Sequence, residues 1–209
     1  MCFDFVDSFI SCKKPIVCCV NGPSFGIAVT TLGLCDHVLC SFGATFKTPF
    51  AELGQSPEGC ASFTFPLIMG DHVANEVLWE GRSLNSFEAL NCGLVHKVCS
   101  PERVLWEAQS YCKDLIDTNN LKRRLASLYA DKLREVNKNE CRVCERLWVS
   151  EGEHNLHRIF GTFFDHTYFV GFHLNCFQLF LLLLLMLQNA SLPWGNFSSA
   201  EKTCMLRLY

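Results

Sequence analysis

The sequence predicts an α/β fold, and three observations carry the prediction. Over residues 1–116 short apolar runs alternate with Gly/Pro turns. One of these runs, Ile16-Val-Cys-Cys-Val20, follows Pro15 and stops at Asn21-Gly22-Pro23, as a buried strand closed by a turn would. Over residues 117–150 the period changes: Leu121, Leu125, Leu128, Leu133, Val136, Val143 and Leu147 fall near helical spacing, with Lys and Arg between them. That segment predicts one long amphipathic helix or two shorter ones, packed on a sheet domain or a partner subunit.

The elements follow in order. Met1 to Lys13 reads as the tail of a helix, and Ile16–Val20 as the first strand. Ser24 to Leu34, rich in small residues, predicts a helix. Asp36–Ser41 and Ala44–Thr48 predict two more strands. Pro57 suits the first turn of a helix, where its missing N–H costs nothing. Asp71 is the expected N-cap of a helix running to about Glu80. Ser86 is the expected cap of a helix that starts at Phe87 and stops near Gly93.

Composition narrows the function classes. A chain of 209 residues is long enough for one domain with a real core. Hydrophobic residues at 49% against 19% charged exclude a largely disordered chain. A net charge of −3 offers no basic surface for nucleic acid. The fourteen cysteines lack the spacing of a disulfide scaffold and read as buried thiols of a reducing compartment. The N-terminus carries acids and no basic segment, so it does not read as a secretory signal.

Five blocks give a sharper signal. They are Lys14-Pro-Ile-Val-Cys-Cys-Val-Asn-Gly-Pro-Ser-Phe-Gly26, Leu34-Cys-Asp36, Ala44-Thr-Phe-Lys-Thr-Pro-Phe50 with Leu53-Gly-Gln-Ser-Pro-Glu-Gly59, Ala74-Asn-Glu-Val-Leu-Trp-Glu-Gly-Arg82, and Glu88-Ala-Leu-Asn-Cys-Gly-Leu-Val95. In this order they resemble the crotonase superfamily, and within it the peroxisomal-type Δ3,Δ2-enoyl-CoA isomerases. The resemblance implies a partial crotonase ββα spiral over 1–116, trimer-forming helices over 117–150 and a divergent hydrophobic tail over 151–209. It implies acyl-CoA as substrate, no separate cofactor because CoA belongs to the substrate, no metal, a homotrimer, and a peroxisomal or mitochondrial location. The C-terminal Leu206-Arg-Leu-Tyr209 is not a Ser-Lys-Leu type of peroxisomal address, so no targeting signal is recognisable.

The chemistry of such a site can be stated physically. A thioester enolate is stabilised by backbone N–H donors aimed at its oxygen, and a helix N-terminus after a strand presents free N–H groups. By resemblance the amide of Gly26 or Ile27 is one oxyanion donor, and Asn21, Gly22, Pro23, Phe50 and Gln55 line the substrate site. The same glycines also suit a plain tight turn. Hydratases of the superfamily hold water with two glutamates. Thr30 and Phe50 stand at those two positions, which argues against hydration. Glu58 matches the single glutamate of the isomerases, which takes a proton from C2 of a 3-enoyl-CoA and returns it to C4. Such a base works best with its pKa raised by apolar surroundings, which Phe50, Phe63 and Phe65 are expected to supply. Glu58 also suits a first-turn helix position, where the helix dipole favours an acid. Glu52 is a rival carboxylate. A sister branch, the chromodomain-Y-like proteins, is similar in the Gln-Ser-Pro block but has Asp at the place of Glu58. It suggests the alternative of a non-catalytic acyl-CoA-binding or subunit-interaction module.

Other features point elsewhere. The family's strands and oxyanion loop before the Lys-Pro block have no match in Met1 to Lys13. A chain without them is expected to have an impaired site and an unpaired sheet edge. After about Gly152 the resemblance stops, and that tail is expected to lie outside the ancestral fold. Tyr168 to Gln188 holds no Asp, Glu, Lys or Arg and contains Phe180-Leu-Leu-Leu-Leu-Leu-Met186, long enough for a membrane anchor. Asn189-Ala-Ser191 and Asn196-Phe-Ser198 are glycosylation sequons. Cys141 and Cys144 with His154 and His157 are a weak zinc pattern, their spacing shorter than a zinc finger's.

Overall fold

The computed structural model describes residues 2–117, 125–150 and 204–208. Helix α1 (Cys2–Ser11) leads into β1 (Ile16–Val20), β2 (Pro23–Phe25), the one-turn helix α2 (Ile27–Thr30) and a 3-10 turn at Thr31–Leu34. Then come β3 (His37–Ser41), β4 (Thr45–Lys47), α3 (Ala61–Leu78), β5 (Leu84–Asn85), α4 (Ser86–Asn91) and β6 (Lys97–Cys99). Helices α5 (Val104–Asp117), α6 (Leu125–Leu128) and α7 (Ala130–Ser150) follow, and β7 (Cys204–Leu208) closes the order.

One sheet runs β6-β3-β1-β7 with every pair parallel, and a smaller one runs β2-β4-β5. Every residue of β1 is buried, because both faces of the first sheet are covered. Val17 and Cys19, with Leu39 and Cys99, pack on Val104, Ala108 and Cys112 of α5. Ile16, Cys18 and Val20 face the main core, which holds Phe46, Phe50, Phe65 and Leu78. Strand alternation sends successive side chains to opposite faces, so five apolar residues in a row serve two cores. Asp36 fixes the entry of β1: its Oδ2 accepts the Ile16 N–H at 2.7 Å, and its own N–H donates to the Ile16 carbonyl at 2.9 Å.

Several expectations change. Ser24 and Phe25 are strand, not helix, because their backbone pairs with Phe46 and Lys47 of β4. Pro57 lies ahead of α3, which starts only at Ala61 with Cys60 as N-cap. Asp71 is not a cap: it stands at the first helical position after Gly70, whose φ of 77° and ψ of 157° interrupt α3. Asn85, not Ser86, caps α4. Its Oδ1 accepts the N–H groups of Phe87 and Glu88, and Glu88 accepts the Asn85 N–H in return, a complete capping box. The Ser86 hydroxyl donates instead to the Phe42 carbonyl at 2.9 Å.

The sheet ends at β6 and β7, so β1 is not its edge. Residues 204–208 pair along its whole length, from Ile16 opposite Cys204 to Val20 opposite Leu208. Helix α7 lies on α1, where Arg134 bridges Asp7 at 3.2 Å and the buried Asn137 donates to the Phe3 carbonyl at 3.0 Å. Tyr168–Gln188, the two sequons, His154 and His157 lie outside the described residues. Among the described residues no helix is long and apolar enough to cross a membrane, and no cluster of metal-ligating side chains occurs. Cys141 and Cys144 stay in helix α7, where Cys144 donates to the Ser56 carbonyl at 3.6 Å.

Candidate active site

Two segments carry the candidate site residues: the turn from β2 into α2, and the loop from Phe50 to Cys60 that enters α3. Gly26 holds φ 55° and ψ −125°, a conformation open essentially to glycine. A Cβ there would meet nothing within 4 Å, so backbone geometry rather than crowding demands glycine. The constraint sits at Gly26 and not at Gly22, which has no positive φ. The Gly26 carbonyl accepts from Val29 and Thr30, starting α2.

The two amides expected to face an oxyanion differ. The Gly26 N–H is already donated to the Lys47 carbonyl at 2.9 Å, extending the β2–β4 pairing. The Ile27 N–H, in the first turn of α2, has no acceptor among the described residues, as the first amides of a helix do not. Of the pair, Ile27 is the one that can donate to a ligand. Asn21 is half-buried beside this turn, and its Oδ1 is buried with no hydrogen-bond donor among the described residues. Pro23 is exposed and Gly22 half-buried.

Thr30 is fully buried, and its hydroxyl donates to the Ile27 carbonyl at 3.3 Å. Phe50 is buried in the main core, and its carbonyl accepts the Gln55 N–H at 2.7 Å. Both positions where the resemblance puts a hydratase glutamate are therefore closed to water activation: one holds a hydroxyl bonded to backbone, the other a core phenylalanine.

Glu58 is half-buried and precedes α3 by three residues, so it is not a first-turn helix residue; its carbonyl accepts the Ala61 N–H at 3.3 Å. Gly59 and Cys60 both take left-handed conformations, with φ of 71° and 64°. Gly59 packs directly on α2. A Cβ on it would collide with the Thr30 hydroxyl and lie 3.0 Å from Thr30 Cβ and 3.2 Å from Ile27 Cδ1. The residue after Glu58 thus touches the residue that carries the open amide. Glu52, the rival, is exposed and paired with Lys47 at 2.6 Å.

The phenylalanines expected to form an apolar wall sit in the core or pack on a neighbouring ring. Phe65 is buried in the core with Phe50, and Phe63 packs edge-on against Tyr129 with ring centres 5.8 Å apart. The charge of Glu58 is felt by Cys144 and by a second carboxyl, Glu140 of α7. Glu140 is buried and accepts from Cys60 N at 2.7 Å, Ser62 N at 3.0 Å and Ser62 Oγ at 2.5 Å. Burial pushes its pKa up, and these hydrogen bonds pull it back. Burial likewise pushes the thiol of Cys144 up to about 11. Sequence reasoning missed Glu140, although a signal existed. It lies seven residues after Leu133, four after Val136 and three before Val143, on the apolar stripe of α7, where a carboxylate needs partners.

The family model described as enoyl-CoA hydratase/isomerase matches residues 2–158. Enoyl-CoA delta isomerase 2 of Rattus norvegicus is 43% identical over 155 residues, covering 71% of this chain and 39% of the rat protein. Chromodomain Y-like protein 2 of Mus musculus is 40% identical over 152 residues, covering 70% of this chain and 30% of the mouse protein. The chain thus spans well under half the length of either relative. The crystal structure of an enoyl-CoA hydratase/isomerase from Pseudoalteromonas atlantica aligns with a TM-score of 0.68 and 29% identity, over 76% of this chain and 66% of that one. A family match over three quarters of the sequence and the same architecture in a solved structure lead to one conclusion: the chain belongs to the enoyl-CoA hydratase/isomerase, or crotonase, family.

Proposed function

We propose that this chain is a Δ3,Δ2-enoyl-CoA isomerase-type domain in which Glu58 alone carries the proton. The observation behind the reading is the contact of Gly59 with Thr30 and Ile27, which brings the residue next to Glu58 against α2, where the Ile27 N–H has no acceptor among the described residues. Glu58 takes a proton from C2 of a 3-enoyl-CoA, the electrons move into the thioester carbonyl, and the Ile27 N–H donates to the resulting oxyanion. Collapse of the dienolate takes the same proton back at C4. Thr30 and Phe50 leave no carboxylate to activate water on the usual hydratase pattern.

The substrate is a fatty acyl-CoA in β-oxidation, and the domain uses no cofactor of its own. A homotrimer in the peroxisome or mitochondrion is the assembly and compartment that fit this activity, and any membrane association rests on residues 168–188. A two-donor oxyanion hole needs a second N–H, and at this turn Gly26 has already given its own to Lys47.

That shortfall favours a second reading, an acyl-CoA-binding or subunit-interaction module without turnover, in keeping with the 40% identity to chromodomain Y-like protein 2. An isomerase assay with 3-enoyl-CoA on the full chain and on Glu58→Gln separates the two. The isomerase reading expects kcat to fall by about 10³ in the variant, the range for loss of a general acid–base group. Equal inactivity of two folded proteins that still bind acyl-CoA supports the module and ends the isomerase reading.

A further inference from the structure

Glu140 has more buried bonding than a helix-packing position requires. Glu140 is only 6% exposed, and burying an ionised carboxyl is costly unless donors surround it. The donors all come from one place: the N–H of Cys60 on Oε2, and the N–H and hydroxyl of Ser62 on Oε1. Cys60 is the N-cap of α3, and its own side chain makes no capping bond. A carboxylate eighty residues away in sequence does the capping instead, and the positive end of α3 helps to compensate its charge.

We infer that Glu140 is a positioning residue for Glu58, holding from α7 the loop that carries the catalytic carboxylate against α2. This rests on the reading of Glu58 as the proton carrier. Two further contacts with α7 flank the same residue. Cys144 Sγ donates to the carbonyl of Ser56, two positions before Glu58, at 3.6 Å. Cys60 Sγ, two positions after it, donates to the carbonyl of Leu133 at 3.3 Å. Between these anchors the chain makes two consecutive left-handed turns, at Gly59 and Cys60. Left-handed backbone is disfavoured for a residue with a Cβ, so Cys60 keeps that shape only because its surroundings impose it. The carboxylate chemistry is specific. Each backbone N–H facing it is an obligate donor, and each takes a different oxygen. A glutamine amide would replace one of those oxygens with an NH2 group and set donor against donor.

The test uses the full chain. Glu140→Gln is expected to lower kcat for 3-enoyl-CoA by about 10- to 100-fold with KM within about twofold, since small misplacement of a catalytic group acts on turnover. Amide hydrogen exchange at residues 56–62 should speed by about tenfold or more, while the amides of β1 and β3 keep their protection. Ser62→Ala, which removes only the hydroxyl donor, gives a smaller kcat loss in a protein that still folds, and serves if Glu140→Gln does not fold. An unchanged kcat in the folded variant, or faster exchange spread evenly through the fold, overturns the inference and leaves Glu140 a packing residue. If wild type is no more active than Glu58→Gln, the isomerase reading fails by itself. Exchange then decides: loosening confined to residues 56–62 supports the positioning role, and its absence overturns it.

Discussion

The turn at Gly26 and the loop at Glu58 carry the candidate site residues but are held in different ways. The Gly26 turn is local. It is shaped by the three-residue strand β2 before it and the short helix α2 after it, a glycine conformation, and one hydrogen bond to Lys47. The Glu58 loop is fastened from a distance, by Glu140, Cys144 and Leu133 on a helix that begins seventy residues later. A motif reports the first kind of structure because its causes lie within the motif. The second kind depends on packing between segments, and its cause is written far from the residue it serves.

Experiments can break or sharpen this contrast. After the loss of Glu58 itself, Gly59→Ala is the most damaging change. It adds a Cβ against Thr30 and a side chain at φ 71°, so strain and crowding combine to cost about 3 kcal/mol, read as a shift in the denaturant midpoint. Thr30→Ala should recover part of that loss in the double variant, a coupling of about 1 kcal/mol. Simple additivity would show that Gly59 does not pack on α2 as described. Gly26→Ala follows at about 2 kcal/mol, purely from backbone strain, because the added methyl has empty space around it. Thr30→Ala should not relieve it.

The smallest effect is one of pH. Burial raises the pKa of Glu140, so the folded state binds this proton more readily than the unfolded chain. Its contribution to stability is present below the ordinary carboxyl value of 4.5 and is lost as pH rises through the raised folded value. Wild-type stability should therefore carry a component that falls with rising pH from about 4.5 upward, absent from Glu140→Gln. Identical slopes in urea titrations across that range would mean that Glu140 is not buried against the loop.

Legibility follows the same division. The strand at Ile16–Val20 was readable because a run of apolar residues between Pro15 and Asn21-Gly22 has few other uses. Glu58 as a candidate came from its block together with the empty hydratase positions at Thr30 and Phe50. The cap of α4 is Asn85 rather than Ser86: the two have similar capping chemistry, and only geometry decides which oxygen reaches the Phe87 and Glu88 amides. Pro57 permits a helix without requiring one, and α3 does not start there. Two left-handed residues after Glu58 delay it to Ala61.

By itself the sequence determined the α/β character and the main strands, since these depend on periodicity and turn chemistry at short range, and the resemblance of its ordered blocks to a known family singled out the carboxylate worth testing. Tertiary structure alone decided three things. It left Ile27 rather than Gly26 with an open amide, because Gly26 gives its N–H to a neighbouring strand. It closed one side of β1 with residues 204–208. It also put Glu140 behind Glu58. Hydrogen-bond partners at such separations are selected by how helices and strands pack, and no local pattern around either residue records that choice.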